Sequence, residues 1–134
     1  MKKIILVALL FQSLISYASP YVEDLQKCLT QSTSEKDVIV LVRWFAKAIS
    51  AHPNLSDISN IDEKKKVEID KKFASYVTRL VTDDCKKEFD NVTKYEGSDA
   101  MGVAFRFLGQ SSTVQLMKNK GVNSAIVEFA KYMK

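Results

Sequence analysis

The chain has 134 residues, with 20 Lys and Arg, 16 Asp and Glu and one His, for a formal charge of +4. That length predicts a single domain. With 4 Gly and 2 Pro it is neither collagen-like nor a Pro/Gly-rich disordered chain. The 27% of charged residues mix both signs, which excludes a disordered polyelectrolyte.

Residues 1–18 read as a secretory signal peptide cut after Ala18. Lys2 and Lys3 form the basic start, Ile4 to Phe11 is an uninterrupted apolar run, and Ser16 and Ala18 place small residues at the cut. The apolar run is shorter than the roughly 20 residues that span a bilayer. No Cys follows the cut, so a lipid anchor is not expected. Lys2 and Lys3 leave with the segment, so the 20 basic residues fall to 18 against 16 acidic and the net charge to +2. A surface that balanced is not the footprint of a nucleic-acid binder. The longest later apolar run, Val38 to Val42, is stopped by Arg43, so no stable membrane anchor is expected after cleavage. The expected location is the periplasm or the exterior.

Export places the two cysteines, Cys28 and Cys85, where disulfides persist. One intramolecular bridge is the expected pairing, with free thiols or an intermolecular bridge as the alternatives. The bridge would contribute roughly 4 kcal/mol in the chain-entropy account. The spacing is unlike a Cys-x-x-Cys redox pair. Two Cys and one His leave too few soft ligands for structural zinc, and no metal or other cofactor is expected.

Along the mature chain the helix signals recur with caps. Ser19-Pro20 marks a start, and Val22, Leu25, Cys28 and Leu29 follow at helical steps. Gln31-Ser32-Thr33 is a polar break. Ser34 caps the next helix with Glu35 and Asp37 in its first turn. From 38 to 51 apolar residues cover most of the circumference, leaving a narrow stripe of Lys36, Arg43, Lys47 and Ser50. A helix apolar nearly all round is buried, so this segment is expected to be central; a buried strand over 38–42 is the alternative. Pro53 ends it. Leu55 and Ile58 are expected plugs in a polar loop, and Asn60 with Glu63 resembles a capping box.

From 61 to about 82 the pattern is amphipathic, with Phe73, Val77, Leu80 and Val81 inward and Lys65, Lys72 and Arg79 opposite. Asp62 to Lys66 and Glu68 to Lys72 are favourably ordered pairs. Near Thr82-Asp83-Asp84 the helix either continues or restarts, and Cys85, Phe89 and Val92 carry the stripe onward. Gly97 suits a helix end and Ser98 a new cap. The next helix turns Met101, Ala104, Phe105, Leu108 and Leu116 inward, and Lys120-Gly121 breaks it. Asn123 starts a last helix with Ile126, Val127, Phe129, Ala130 and Met133. The fold class is therefore all-α: a compact bundle of five or six short helices with one disulfide over residues 19–134.

Catalytic chemistry is scarce. His52 is the one histidine, and it reads as a helix-end residue facing the negative end of the helix before it. No nucleophile elbow, phosphate loop or metalloprotease motif occurs. Asp83, Asp84 and Glu88 are the candidates for acid/base work or a hard cation, against a solvated helix start. Lys64-Lys65-Lys66 and Lys71-Lys72 interleave with acids and read as a solvated face. Gly102 and Gly109 lie seven apart on one side of a helix, where each costs about 1 kcal/mol against alanine. Close helix approach, over Trp44 or Tyr95, is the expected compensation; a floor for an apolar ligand or a partner side chain is the functional reading. Phe105, Arg106 and Phe107 lie between these glycines and form the candidate interaction site.

Several stretches carry a resemblance: Leu41-Val42-Arg43-Trp44-Phe45, Ala51-His52-Pro53, Val77-Thr78-Arg79-Leu80, Asp84-Cys85 and Lys94-Tyr95-Glu96-Gly97. They resemble a group of small exported bacterial proteins with two cysteines and an all-helical forecast, for which no activity is established. In size, export and helix content the chain is also similar to exported helical immunity proteins and to small disulfide-bonded acid-stress chaperones. The expected function is non-enzymatic: a periplasmic protein that binds another protein, as an inhibitor or immunity factor does. A carrier of a small apolar ligand and a periplasmic stress chaperone are the alternatives.

Overall fold

The structure, a computed structural model, describes residues 19–97 and 99–133. The signal-peptide segment with its cut after Ala18, the Ser98 cap and the Met101 side chain lie outside the described residues. Among the described residues there are six α-helices: α1 (Pro20–Ser32), α2 (Glu35–Ser50), α3 (Glu63–Arg79), α4 (Lys86–Glu96), α5 (Ala100–Met117) and α6 (Lys120–Glu128). Short 3-10 turns follow α2 at Pro53–Leu55 and α6 at Phe129–Tyr132. Among the described residues there is no strand, so the all-α expectation holds and the strand alternative for 38–42 falls.

The helix starts follow from capping chemistry. The Ser19 hydroxyl accepts from the Val22 amide with Pro20 in the first turn. Ser34 and Asp37 complete a reciprocal capping box on α2. For α3 the cap is Asp62, accepting from the Lys65 amide at 2.9 Å, and not Asn60. The last helix begins at Lys120, three residues before the expected Asn123, because the Asn119 side chain accepts from the Val122 amide. Gly97, at φ 91°, closes α4 in a backbone region that side chains avoid.

Two helix pairs make the bundle. One is α2 on α3 and the other α1 on α4; α5 touches α1, α2 and α4 and bridges them. The chain between α3 and α4 is a π-helical turn, Leu80–Asp84, in which the Cys85 amide donates to the Leu80 carbonyl at 2.9 Å. This turn sets the register of everything after it. Each α-helical residue rotates by about 100°, so with Phe73, Tyr76 and Leu80 inward an unbroken helix would next turn Asp84 inward and leave Cys85 to the side. One extra residue in the turn moves Cys85 into the inward position and Asp84 out of it. Cys85 is fully buried and Asp84 exposed. Cys85 there meets Cys28 of α1, with the two Cα atoms 5.8 Å apart, and the pair is disulfide-bonded.

The core is Leu25, Leu29, Leu41, Phe73, Tyr76, Leu80, Cys85, Val92, Ala100, Ala104 and Leu108. Phe73 stacks on Trp44 at 4.2 Å between ring centroids and leans on Phe105 at 5.9 Å, joining α3 to α2 and α5. Tyr21 stacks on Tyr95 at 4.5 Å and ties the start of α1 to the end of α4.

The segment 38–51 is not the central helix that its composition predicts. Val38 and Leu41 are its buried residues, while Ile39, Phe45 and Ile49 remain 53%, 59% and 46% exposed. The helices that contact α2 are α3 and α5, which between them cover one side of it. The most enclosed position belongs to α1, whose Leu25 and Leu29 sit among α4, α5 and the π turn. Ile58, an expected plug, stands in the open, and Leu55 is half-buried.

Candidate functional site

A polar cluster stands where α1, α2, α3 and the π turn converge. The Arg79 guanidinium donates to the Ser32 carbonyl at 3.1 Å, to the Asp37 carboxylate at 3.0 Å and to the Asp84 carboxylate at 2.9 Å. It also lies over the Tyr76 ring, 5.6 Å from its centroid. The Tyr76 and Thr33 hydroxyls share a hydrogen bond of 2.8 Å, and Thr33 donates to the Leu29 carbonyl. One side chain therefore holds the C-terminus of α1, the N-terminus of α2 and the π turn together, as a planar five-donor group can.

Burial pushes the Asp37 carboxyl up. The hydrogen bonds from Arg79 and Ser34 and the Arg79 charge outweigh that and hold it below the usual value of 3.8. A carboxylate lowered in the folded state contributes stability above its unfolded pKa and loses it as the pH falls through the folded value. Unfolding midpoints in urea should therefore be steady above about pH 5 and fall below about pH 4. Asp37→Asn should cost about 1 kcal/mol at pH 7, since Arg79 is half-exposed, and flatten the acid-side fall. An unchanged slope in that variant would remove Asp37 as its source.

Asp84 is thus paired with Arg79, while Asp83 is exposed and accepts from the Thr82 hydroxyl at 3.0 Å. Glu88 is half-buried, and the three carboxylates border a shallow depression shared with Lys86 and Lys87. Among the described residues no group of His, Cys, Asp and Glu is placed to hold a metal ion. His52 is exposed, and its Nδ1 accepts from the Asn54 amide at 3.2 Å. Its imidazole caps the turn that follows it and does not face the end of α2.

The helix α5 separates the residues of the candidate interaction site. Among the described residues nothing lies within 4 Å of where a side-chain carbon would stand at Gly102 or Gly109, so close helix approach does not explain these glycines. Both sit with Arg106 on the exposed side of α5. Phe105 and Phe107 are half-buried and pack on the core, Phe105 against Phe73.

The apolar surface that composition left unmarked is on α2. Ile39, Phe45 and Ile49 are exposed there with Lys36 and Arg43. Beside it a cleft of about 310 Å³ between α2 and α3 is lined by Ile39, Val40, Arg43, Lys65, Glu68 and Lys72, with Ile69 at its base. Lys65 and Lys72 both bond Glu68 and pull its carboxyl down to about 2. Lys66 pairs with Glu63 while Asp62 serves as the cap. The lysine-rich stretch of α3 is thus largely an ion-paired face. Lys47 bonds Asp70 at 2.8 Å and fastens the far end of the α2–α3 pair.

Comparison with known proteins finds no matching family, no matching curated protein and no matching solved structure.

Proposed function

We propose that this chain is an exported periplasmic protein, without enzymatic activity, that works by binding another protein in the manner of an inhibitor or immunity factor. In this reading residues 1–18 leave as a signal peptide cut after Ala18. The Cys28–Cys85 disulfide supports an oxidising compartment. Among the described residues no helix is long and apolar enough to cross a membrane. The resemblance to small exported two-cysteine helical proteins agrees with this placement and brings no activity with it.

One observation carries the binding function. The exposed side of α2 presents Ile39, Phe45 and Ile49 on a scaffold held by a disulfide and the Arg79 cluster. Apolar residues fixed on a rigid helix bind without a large ordering cost, and large side chains at a patch centre dominate binding energies. Lys36 and Arg43, one turn to either side of Ile39, favour an acidic rim on the partner at that edge. The carrier alternative draws on the α2–α3 cleft, but four of its seven lining residues, Arg43, Lys65, Glu68 and Lys72, are charged. The chaperone alternative draws on the same apolar residues.

Site-specific photocrosslinking in intact cells separates these readings. With the crosslinker at Phe45, on protein confirmed to begin at Ser19, one adduct of defined mass is expected, lost on Ile49→Asp. A smear of many adducts would favour the chaperone. No adduct at Phe45 beyond that at Lys64 would overturn the assignment of α2.

A further inference from the structure

The positive charge of the mature chain is concentrated at one end of it. Residues 19–112 hold 14 basic and 15 acidic side chains, and residues 113–134 hold Lys118, Lys120, Lys131 and Lys134 against Glu128 alone. The net +2 is thus a domain at −1 carrying an arm at +3.

That arm is also where the apolar surface is least covered. The core ends on α5 at Leu108, and among the described residues α6 contacts no α-helix other than α5. Val122, Ile126, Phe129 and Met133 follow at steps of four, three and four, so they share one side of α6 and its terminal turn. Val122 is half-buried, and exposure then rises outward: Ile126 45%, Phe129 62% and Met133 70%. Lys120, Ser124 and Lys131 lie on the opposite side. Among the described residues no neighbouring helix covers this stripe.

We propose that this arm docks the protein reversibly on an anionic lipid surface, with Phe129, Tyr132 and Met133 entering the headgroup layer and the lysines above them meeting lipid phosphates. An apolar stripe opposite lysines, with aromatics at its tip, is the pattern of an interfacial helix. Against a second copy of the same arm, +3 would face +3. The apolar tip is exposed on Phe129, Tyr132 and Met133 alike, so it suits a soft layer that yields around it. One such signal keeps the attachment weak, since firm anchoring takes more than one.

The test is co-sedimentation of the disulfide-bonded chain from Ser19 with vesicles of phosphatidylethanolamine and phosphatidylglycerol, against vesicles of phosphatidylcholine. Binding is expected on the anionic vesicles, falling in 0.5 M salt by about tenfold. Phe129→Glu with Met133→Glu should abolish it. Lys118→Glu with Lys120→Glu should reduce it several-fold. These four residues lie outside the core cluster, so circular dichroism and the melting temperature should be unchanged. Absence of binding to anionic vesicles overturns the proposal, as does equal binding to phosphatidylcholine. A halved molecular mass in the Phe129 variant would assign the arm to a second copy. A protein adduct from a crosslinker at Phe129, without vesicle binding, would assign it to a protein partner.

Discussion

Replacing both cysteines, Cys28→Ala with Cys85→Ala, should lower the free energy of unfolding by about 4 kcal/mol and the melting temperature by about 15 °C. The bond joins positions 57 apart, so its loss frees a long loop in the unfolded chain. A domain of this size holds about 5–15 kcal/mol in all, which makes the bond a large share of it. A second effect is local. Cys85 occupies its inward position because of the π turn, and the bond to α1 keeps it there. Without the bond the helix gains a competing register in which Asp84 turns inward and leaves Arg79. Amide exchange at position 85, whose N–H closes the turn, should therefore accelerate more in the variant than at Val92. Thiol labelling of the native protein should find no site before reduction and two after it. A variant within 1 kcal/mol of the parent would show that the bond does not hold the bundle.

The π turn also marks the limit of what the sequence discloses. Helical spacing locates Phe73 and Leu80 on one stripe and Cys85, Phe89 and Val92 on another, but not the extra residue that joins the two in phase. The caps at Ser19 and Ser34 are legible because a hydroxyl beside Pro20, or three residues before Asp37, has a local partner. The cap of α3 is less so, since Asn60 and Asp62 are both capable acceptors and the path of the loop chooses between them. Composition misplaces α2 for a different reason. A helix apolar on most sides needs neighbours on most sides, and α3 and α5 cover one. The same limit leaves Ile126, Phe129 and Met133 uncovered at the far end. Where the supply of covering helices runs out, hydrophobic side chains become surface, and both proposed contacts of this protein arise there. Phe105 and Phe107 went the other way, because Phe73 and the core gave them cover.

Phe73→Ala should cost about 3–5 kcal/mol, more than any substitution on the α2 or α6 surfaces. The ring is nearly buried, stacks on Trp44 and approaches Tyr76 and Phe105 at centroid distances of 6.4 and 5.9 Å. Its removal opens a cavity between α2, α3 and α5, and α2 and α3 are tied to each other elsewhere by Lys47 with Asp70 and by Arg79 with Asp37. Those restraints hinder collapse into the gap, which places the cost toward the upper end of the range. Phe73→Leu keeps most of the apolar volume and loses the aromatic contacts, so about 1–2 kcal/mol is expected. The chain has one tryptophan, Trp44, and its emission reports this contact directly. Both variants should alter the native spectrum while the unfolded spectra coincide. A large stability loss with unchanged Trp44 emission would mean that Phe73 acts through Tyr76 and Phe105 alone. A loss below 1 kcal/mol in the alanine variant would mean that α2 can close onto α3, and that its outward side is less rigid than a preformed binding surface requires.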